Sequence, residues 1–348
     1  MLVSDFEFDL PPELIAQEPA PERGRSRLLV LDRATGRLSH TDISQLGSYL
    51  ARGDLLVVND TRVFPARLLG RRVPSGGRVE CLLIRRLDAE RWEALMHPGQ
   101  KLREGERVVF ESSGVRIGAE ILKREFHGRR TIRLTVSGAS SIDSAIERIG
   151  HVPLPPYIRR PDSAADRERY QTVFARASGS VAAPTAGLHF TEPILRDLSL
   201  RGIERTAITL HVGYGTFKPV RTEQVEDHTM DAEAYEISES AADAINGARA
   251  ERRRVVAVGT TTTRALEAAA RTHDGRVAPV AALTNLFIVP GFRFSLVGAL
   301  LTNFHLPRSS LLMLVSAFAG RERVLDAYRE AIARGYRFYS YGDAMLIT

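Results

Sequence analysis

Two short runs, Leu55–Val58 (LLVV) and Val255–Val258 (VVAV), are apolar at every position. A half-buried strand alternates and these do not, so each reads as a strand buried on both faces, as in an α/β sheet covered by helices. Both runs stop at polar residues. After the first come Asn59, Asp60, Thr61 and Arg62; after the second come Gly259, a threonine cluster and a helical pattern. Polar groups at the carboxyl end of a buried strand are where open α/β sheets bind ligands. The amides and hydroxyls of GTTTTRALE can hold an anion or ribose hydroxyls, although the segment lacks the G-x-G-x-x-G fingerprint and the P-loop lysine. A turn with an Asx cap at the first run and a plain helix N-cap at the second are the structural alternatives.

Between Ala66 and Gly150 the texture changes. Short alternating stretches (Val79–Ile84, Arg91–Met96, Arg107–Phe110, Val115–Ile121, Thr131–Val136) are divided by turn clusters such as PSGG and HPGQ. That spacing predicts a small β-barrel or sandwich. The segment carries 17 Arg/Lys against 11 Asp/Glu, and so holds all of the chain's net charge of +6. A basic insertion of this kind suits a polyanionic partner; scattered surface arginines are the alternative. The expected organisation is therefore a large mixed α/β domain, residues 1–65 and 151–348, with a small β-barrel, residues 66–150, inserted in it. His97 and His127 read as solvated turn residues.

The most distinctive stretch runs from Gly179 to Val220. Thr191 and Pro193 predict a helix start, Gly202 its end, and Ile208, Leu210 and Val212 one face of a strand. Its flanks, PTAGLHF and HVGYGTF, place His189 and His211 beside glycines, which let backbone approach a ligand closely. Further on, EDHTMDAEAYEIS reads as a charged, mobile segment. Leu286–Val289 reads as a strand. Thr302, Asn303 and His305 fall in a loop before a helix capped at Ser309 or Ser310 and ended by Gly320, and a second helix follows over Arg323–Arg334. The chain closes on a turn at Gly342–Asp343.

His189, His211 and His305 each sit in a Gly- or Pro-punctuated loop at the end of a predicted element, where binding and catalysis concentrate. A neutral imidazole can accept or donate a proton near pH 7. No H-E-x-x-H, no cysteine pair and no G-x-S-x-G occurs, so nothing in the pattern favours zinc or a serine nucleophile. Cys81 is the single cysteine, the N-terminus is acidic, and the most apolar stretch, Leu311–Ala319, is too short to cross a bilayer. A cytoplasmic protein is expected.

The motifs GDLLVVNDTRVFPARLLG, PLPPYIRR, RYQTVFA, GSVAAPTAGLHFT, ITLHVGYGTFKPV, TNFHLPRSSLLMLVSAFAG and YRFYSYGDAMLI, spread from Asp5 to the end, resemble the S-adenosylmethionine:tRNA ribosyltransferase-isomerases of queuosine biosynthesis. Departures from the family pattern are Thr262 and Thr263 in place of serine and valine, Asp231 in place of histidine, and Gly298 near a usual aspartate. The resemblance implies transfer and isomerisation of the ribosyl part of S-adenosylmethionine onto 7-aminomethyl-7-deazaguanine at the wobble position of tRNA. Epoxyqueuosine forms, and adenine and methionine leave. Such a reaction needs a base for the proton beside the sulfonium, an acid for departing adenine and a neutral attacking amine, and no metal. On the matching positions, Asp60, His189, His211 and His305 are expected around the reacting ribose. Arg62, Thr185 and Asn303 are expected to position it. Gly187, Gly213, Tyr214, Gly215 and Thr216 would hold S-adenosylmethionine, with Tyr341 and Asp343 as further substrate contacts. Arg67, Arg71, Arg72, Arg78, Arg159 and Arg160 are expected on tRNA phosphates, and Tyr214 or Phe217 can stack on a turned-out base; core packing is the alternative for Phe217. A monomer is expected. Two rival readings are a methyltransferase, which would release S-adenosylhomocysteine, and a non-catalytic RNA-binding protein.

Overall fold

A computed structural model describes residues 1–125, 128–217 and 220–348. His127 and the side chain of Phe217 lie outside what it describes. The chain begins with β1 (Arg27–Leu31), β2 (Leu38–Asp42), β3 (Leu55–Asn59) and β4 (Thr61–Val63). Next come β5 (Arg67–Val73), β6 (Arg78–Arg86), β7 (Arg91–His97), β8 (Arg107–Ser112), β9 (Val115–Arg124) and β10 (Arg129–Ser137). Then follow α1 (Ile142–Ile149), α2 (Asp166–Arg169), β11 (Ala177–Ser180), α3 (Glu192–Leu200), β12 (Glu204–Leu210) and β13 (Glu233–Ile237). The remainder is α4 (Glu239–Ala250), β14 (Val255–Val258), α5 (Thr260–Arg271), β15 (Val280–Thr284), β16 (Val297–Asn303), α6 (Ser310–Ala319), α7 (Arg321–Ala333) and β17 (Ala344–Ile347).

Outside the second group, β4 and β11 pair with each other and all the other strands build a nine-stranded mixed sheet, ordered β15-β13-β12-β3-β14-β16-β17-β1-β2. Its middle, β12-β3-β14-β16, is parallel. The doubly apolar run of β3 is explained here. Leu55 and Val57 join the core formed with Ile245, Leu266 and Leu312, while Leu56 and Val58 join the opposite core with Ile194, Leu198 and Val258. Each such side chain contributes roughly 1.5–3 kcal/mol of burial. Helix starts follow the sequence: Thr191 Oγ1 accepts from Ile194 N at 3.5 Å on α3, and Ser309 Oγ accepts from Leu312 N at 3.2 Å on α6.

The second group closes into a barrel of order β10-β7-β6-β5-β8-β9, filled by residues such as Leu83, Trp92, Phe110, Ile117 and Leu134. The strand absent from the sequence reading is β5. Only Leu68 of its residues is buried, so it shows no apolar alternation.

Other expectations are corrected. Leu286–Val289 is not a strand: Leu286 N donates to Thr284 Oγ1 at 3.2 Å and its carbonyl accepts from Arg264 Nε at 2.9 Å, so side chains occupy both ladder groups. The strand of that region is β15. Thr302 and Asn303 end β16 and are not in a loop, because they pair with Met345 and Ala344 of β17. Within the acidic segment after Val220, Glu233–Ile237 is a ladder strand between β12 and β15.

Candidate active site

Beyond the carboxyl ends of β14 and β16 lies a cleft of about 490 Å³. Its walls are Ala183–Ala186 before α3, Val212 and Thr216 after β12, Gly259–Thr261 at the start of α5, Thr302–His305, Leu311, Tyr339 and Ser340. Among the described residues, no side chain caps α5. The hydroxyls of Thr262 and Thr263 turn back to the carbonyls of Val258 (2.7 Å) and Gly259 (3.1 Å) and so do not cap the first-turn amides of α5, whose residues Gly259–Thr261 line the cleft at the positive end of the helix dipole.

One wall is a chain of buried polar groups. Asn303 Nδ2 donates to the Tyr339 carbonyl and to His189 Nε2, each at 3.1 Å. With Nε2 accepting, the proton sits on His189 Nδ1, which is 2.9 Å from Ser26 Oγ. Asn303 Oδ1 is buried with no partner among the described residues, a costly state that a ligand donor would relieve. Nearby, His305 Nε2 is 2.8 Å from Thr302 Oγ1, and His305 N donates to Tyr328 Oη at 3.0 Å. Burial lowers His189 to about 4 and His305 to about 3, so both rings are neutral at pH 7 and act as hydrogen-bond donors and acceptors rather than as imidazolium.

Behind His189 a second cleft of about 340 Å³ is lined by Arg23, Arg169, Leu188, His189, Ser340 and Tyr341, among others. Ser340 lines both clefts. Arg23 donates to the carbonyls of Glu168 and Arg169, and Arg169 to those of Ala20 and Pro21. Neither guanidinium makes an ion pair among the described residues. Sequence reasoning named neither as a site residue, nor Tyr339 and Ser340, although Arg169 opens the RYQTVFA motif and Tyr339 and Ser340 lie within YRFYSYGDAMLI.

Of the sequence-predicted residues, Thr185, Thr216, Asn303 and His305 line the main cleft, and His189 is joined to it through Asn303. Asp60 and His211 form a different cluster. Asp60 is buried, accepting from Arg176 Nη2 at 2.7 Å and Thr209 Oγ1 at 2.6 Å. His211 Nδ1 is 2.8 Å from Thr61 Oγ1, and its ring lies against Gly179, where a Cβ would come within 2.7 Å of it. Burial lowers the His211 pKa, opposed by Asp60. Arg62 is exposed, Gly187 packs on Thr172, and Tyr214 packs on the barrel core. Asp343 accepts from the Arg27 side chain and amide and from Arg337 N, which fixes the closing turn. Tyr341 Oη donates to Asp166 at 3.1 Å, and Arg160 holds the same carboxylate with two bonds at 2.7 and 2.8 Å. Arg67 is likewise held by Glu80 at 2.8 and 3.1 Å, and Arg72 lies 3.6 Å from Glu106. Arg71, Arg78 and Arg159 are exposed, with no carboxylate partner among the described residues. No group of His, Cys, Asp and Glu among the described residues is arranged to hold a metal, and no helix among them is long and apolar enough to cross a membrane.

The whole chain is similar to known proteins. A family model described as "Queuosine biosynthesis protein" matches residues 3–347. A protein of Anaeromyxobacter sp. named S-adenosylmethionine:tRNA ribosyltransferase-isomerase is 55% identical over 351 residues, covering 100% of this chain and 99% of the relative. One of the same name from Symbiobacterium thermophilum is 52% identical over 347 residues, covering both chains fully. The crystal structure of S-adenosylmethionine tRNA ribosyltransferase from Thermotoga maritima is 38% identical and superposes with a TM-score of 0.56, covering 99% of this chain and 100% of that one. With a match that runs through the sheet, the barrel and every wall of the cleft, this chain belongs to the queuosine biosynthesis family.

Proposed function

We propose that this chain is an S-adenosylmethionine:tRNA ribosyltransferase-isomerase. It moves and rearranges the ribosyl part of S-adenosylmethionine onto 7-aminomethyl-7-deazaguanine at the wobble position of tRNA, forming epoxyqueuosine and releasing adenine and methionine. The observation that carries this is full-length identity of about half with relatives of that name, on a chain whose main cleft offers neutral, buried polar groups.

S-adenosylmethionine lies in the 490 Å³ cleft, with its negative methionine carboxylate at the uncapped start of α5. The unpartnered Asn303 Oδ1 accepts from a ligand hydroxyl or amine. His305, with Nε2 held on Thr302, keeps Nδ1 for the ligand. As a neutral ring it hydrogen-bonds the ligand beside the reacting ribose and carries no charge there. His189 acts behind Asn303, fixing the direction of its amide. The RNA approaches over the exposed Arg71, Arg78 and Arg159 and the Arg23–Arg169 cleft, and the protein works as a cytoplasmic monomer.

The test is a product assay. Purified protein is mixed with S-adenosylmethionine and an anticodon stem-loop carrying 7-aminomethyl-7-deazaguanine, and followed by mass spectrometry. Free adenine and methionine with a matching mass gain on the RNA are expected. S-adenosylhomocysteine would instead mean methyl transfer, and binding without turnover a non-catalytic role.

A further inference from the structure

The glycine-rich turn after β12 contributes Thr216 to the cleft, and it is latched by one buried carboxylate. Glu233 Oε1, at the first position of β13, accepts from Gly213 N at 2.8 Å and from Thr216 Oγ1 at 3.0 Å. Its other oxygen pairs with Arg264 Nη1, and both side chains are 3% exposed. Arg264 sits on α5, the helix whose first residues, Thr260 and Thr261, form another wall of the same cleft. Arg264 Nε donates to the Leu286 carbonyl at 2.9 Å, while Nη2 has no partner among the described residues.

A buried ion pair is weak evidence for stability, because taking both charges out of water offsets their attraction. Apolar side chains of similar volume would pack here without that cost. What they would not do is receive Gly213 N and Thr216 Oγ1 on one side and grip α5 on the other. The turn is held from outside as well. Asp231 packs on Gly215, where a Cβ would lie 2.7 Å from its carboxylate, and it accepts from Arg129 Nη2 of barrel strand β10 at 2.9 Å.

We infer that Glu233 and Arg264 are positioning residues for S-adenosylmethionine: the pair sets the separation between Thr216 and the first turn of α5, the two walls that the ligand spans. The inference rests on the reading of this cleft as the S-adenosylmethionine site. Neither residue contacts the reacting atoms; each acts through the backbone it holds.

The experiment measures kcat and KM for S-adenosylmethionine and for the stem-loop, with Tm, in wild type, Glu233→Ala, Glu233→Gln and Thr216→Val. Glu233→Ala strands the buried guanidinium and frees the turn; it raises KM for S-adenosylmethionine at least about thirtyfold, leaves KM for the stem-loop within about twofold, and lowers Tm. Glu233→Gln keeps an oxygen for Gly213 and Thr216 but loses the charge facing Arg264, and is expected between wild type and alanine. Thr216→Val removes one latch bond and creates no stranded charge; it raises the same KM about three- to fivefold with little change in Tm. A turning-over wild type together with unchanged KM for S-adenosylmethionine in Glu233→Gln and Thr216→Val overturns the inference alone, leaving a pair that serves folding. A wild type that releases no adenine overturns the reading of the cleft, and this inference with it.

Discussion

At the cleft wall, Asn303, His189 and His305 are buried and uncharged, and one amide oxygen has no partner among the described residues. On the barrel the polar groups are arginines, and Arg67, Arg72, Arg85 and Arg129 each meet a carboxylate. The first region leaves a buried polar atom unsatisfied among the described residues, at a cost in stability. In the second, many arginines are tied to carboxylates of the same segment, which leaves its net charge unchanged but means that the charge does not say which guanidiniums are free to face RNA. A surplus counted along the chain is therefore a poor map of a binding face, whereas an unsatisfied buried atom is a local and specific pointer.

The largest expected effect lies at the cleft. His305→Ala and Asn303→Ala are each expected to lower kcat for adenine release by at least about 100-fold while the protein stays folded; rates near wild type would remove the contrast with the barrel. Next is pH. His189 and His305 have folded pKa values below the ordinary 6.5, so the unfolded chain binds more protons than the folded one. Stability is full above pH 6.5 and falls as pH drops toward 4, by about 1.4 kcal/mol per pH unit for each ring. Urea midpoints between pH 7 and 5 measure this, and His305→Gln should roughly halve the slope.

On the barrel side, the combined Arg71→Ala, Arg78→Ala and Arg159→Ala variant should weaken stem-loop binding about tenfold near physiological salt. It should also make the salt dependence shallower, by about 0.7–0.9 in slope for each phosphate that an arginine no longer neutralises. Arg67→Ala, removing a guanidinium already held by Glu80, should leave the slope unchanged; an equal loss would mean that paired arginines also serve the RNA. The smallest effect is expected at the second polar cluster. Asp60→Asn should lower kcat less than about tenfold, since Asp60 is occupied by Arg176 and Thr209 away from the cleft wall. A loss as large as that of His305→Ala would show that the two clusters work as one.

Much of the fold was legible. The LLVV and VVAV runs, the caps at Thr191 and Ser309, and the alternation between Val79 and Val136 are local signals that survive in the folded chain. Leu286–Val289 misled, since its apolar run matched a strand while Arg264 and Thr284 took its backbone groups. The sequence named candidate residues but not their arrangement. Thr185, Thr216, Asn303 and His305 come to one cleft, whereas Asp60 and His211 go to another cluster, although all carry equally suggestive motifs.

The sequence by itself determined the fold class and the family, because periodicity, capping and motif are properties of neighbouring residues. Only the tertiary structure decided that Asn303 meets His189 across 114 positions and that Glu233 meets Arg264 across 31. Those meetings depend on strand order and register in the nine-stranded sheet. A buried strand such as β3, apolar at every position, carries no mark of which neighbours it will take.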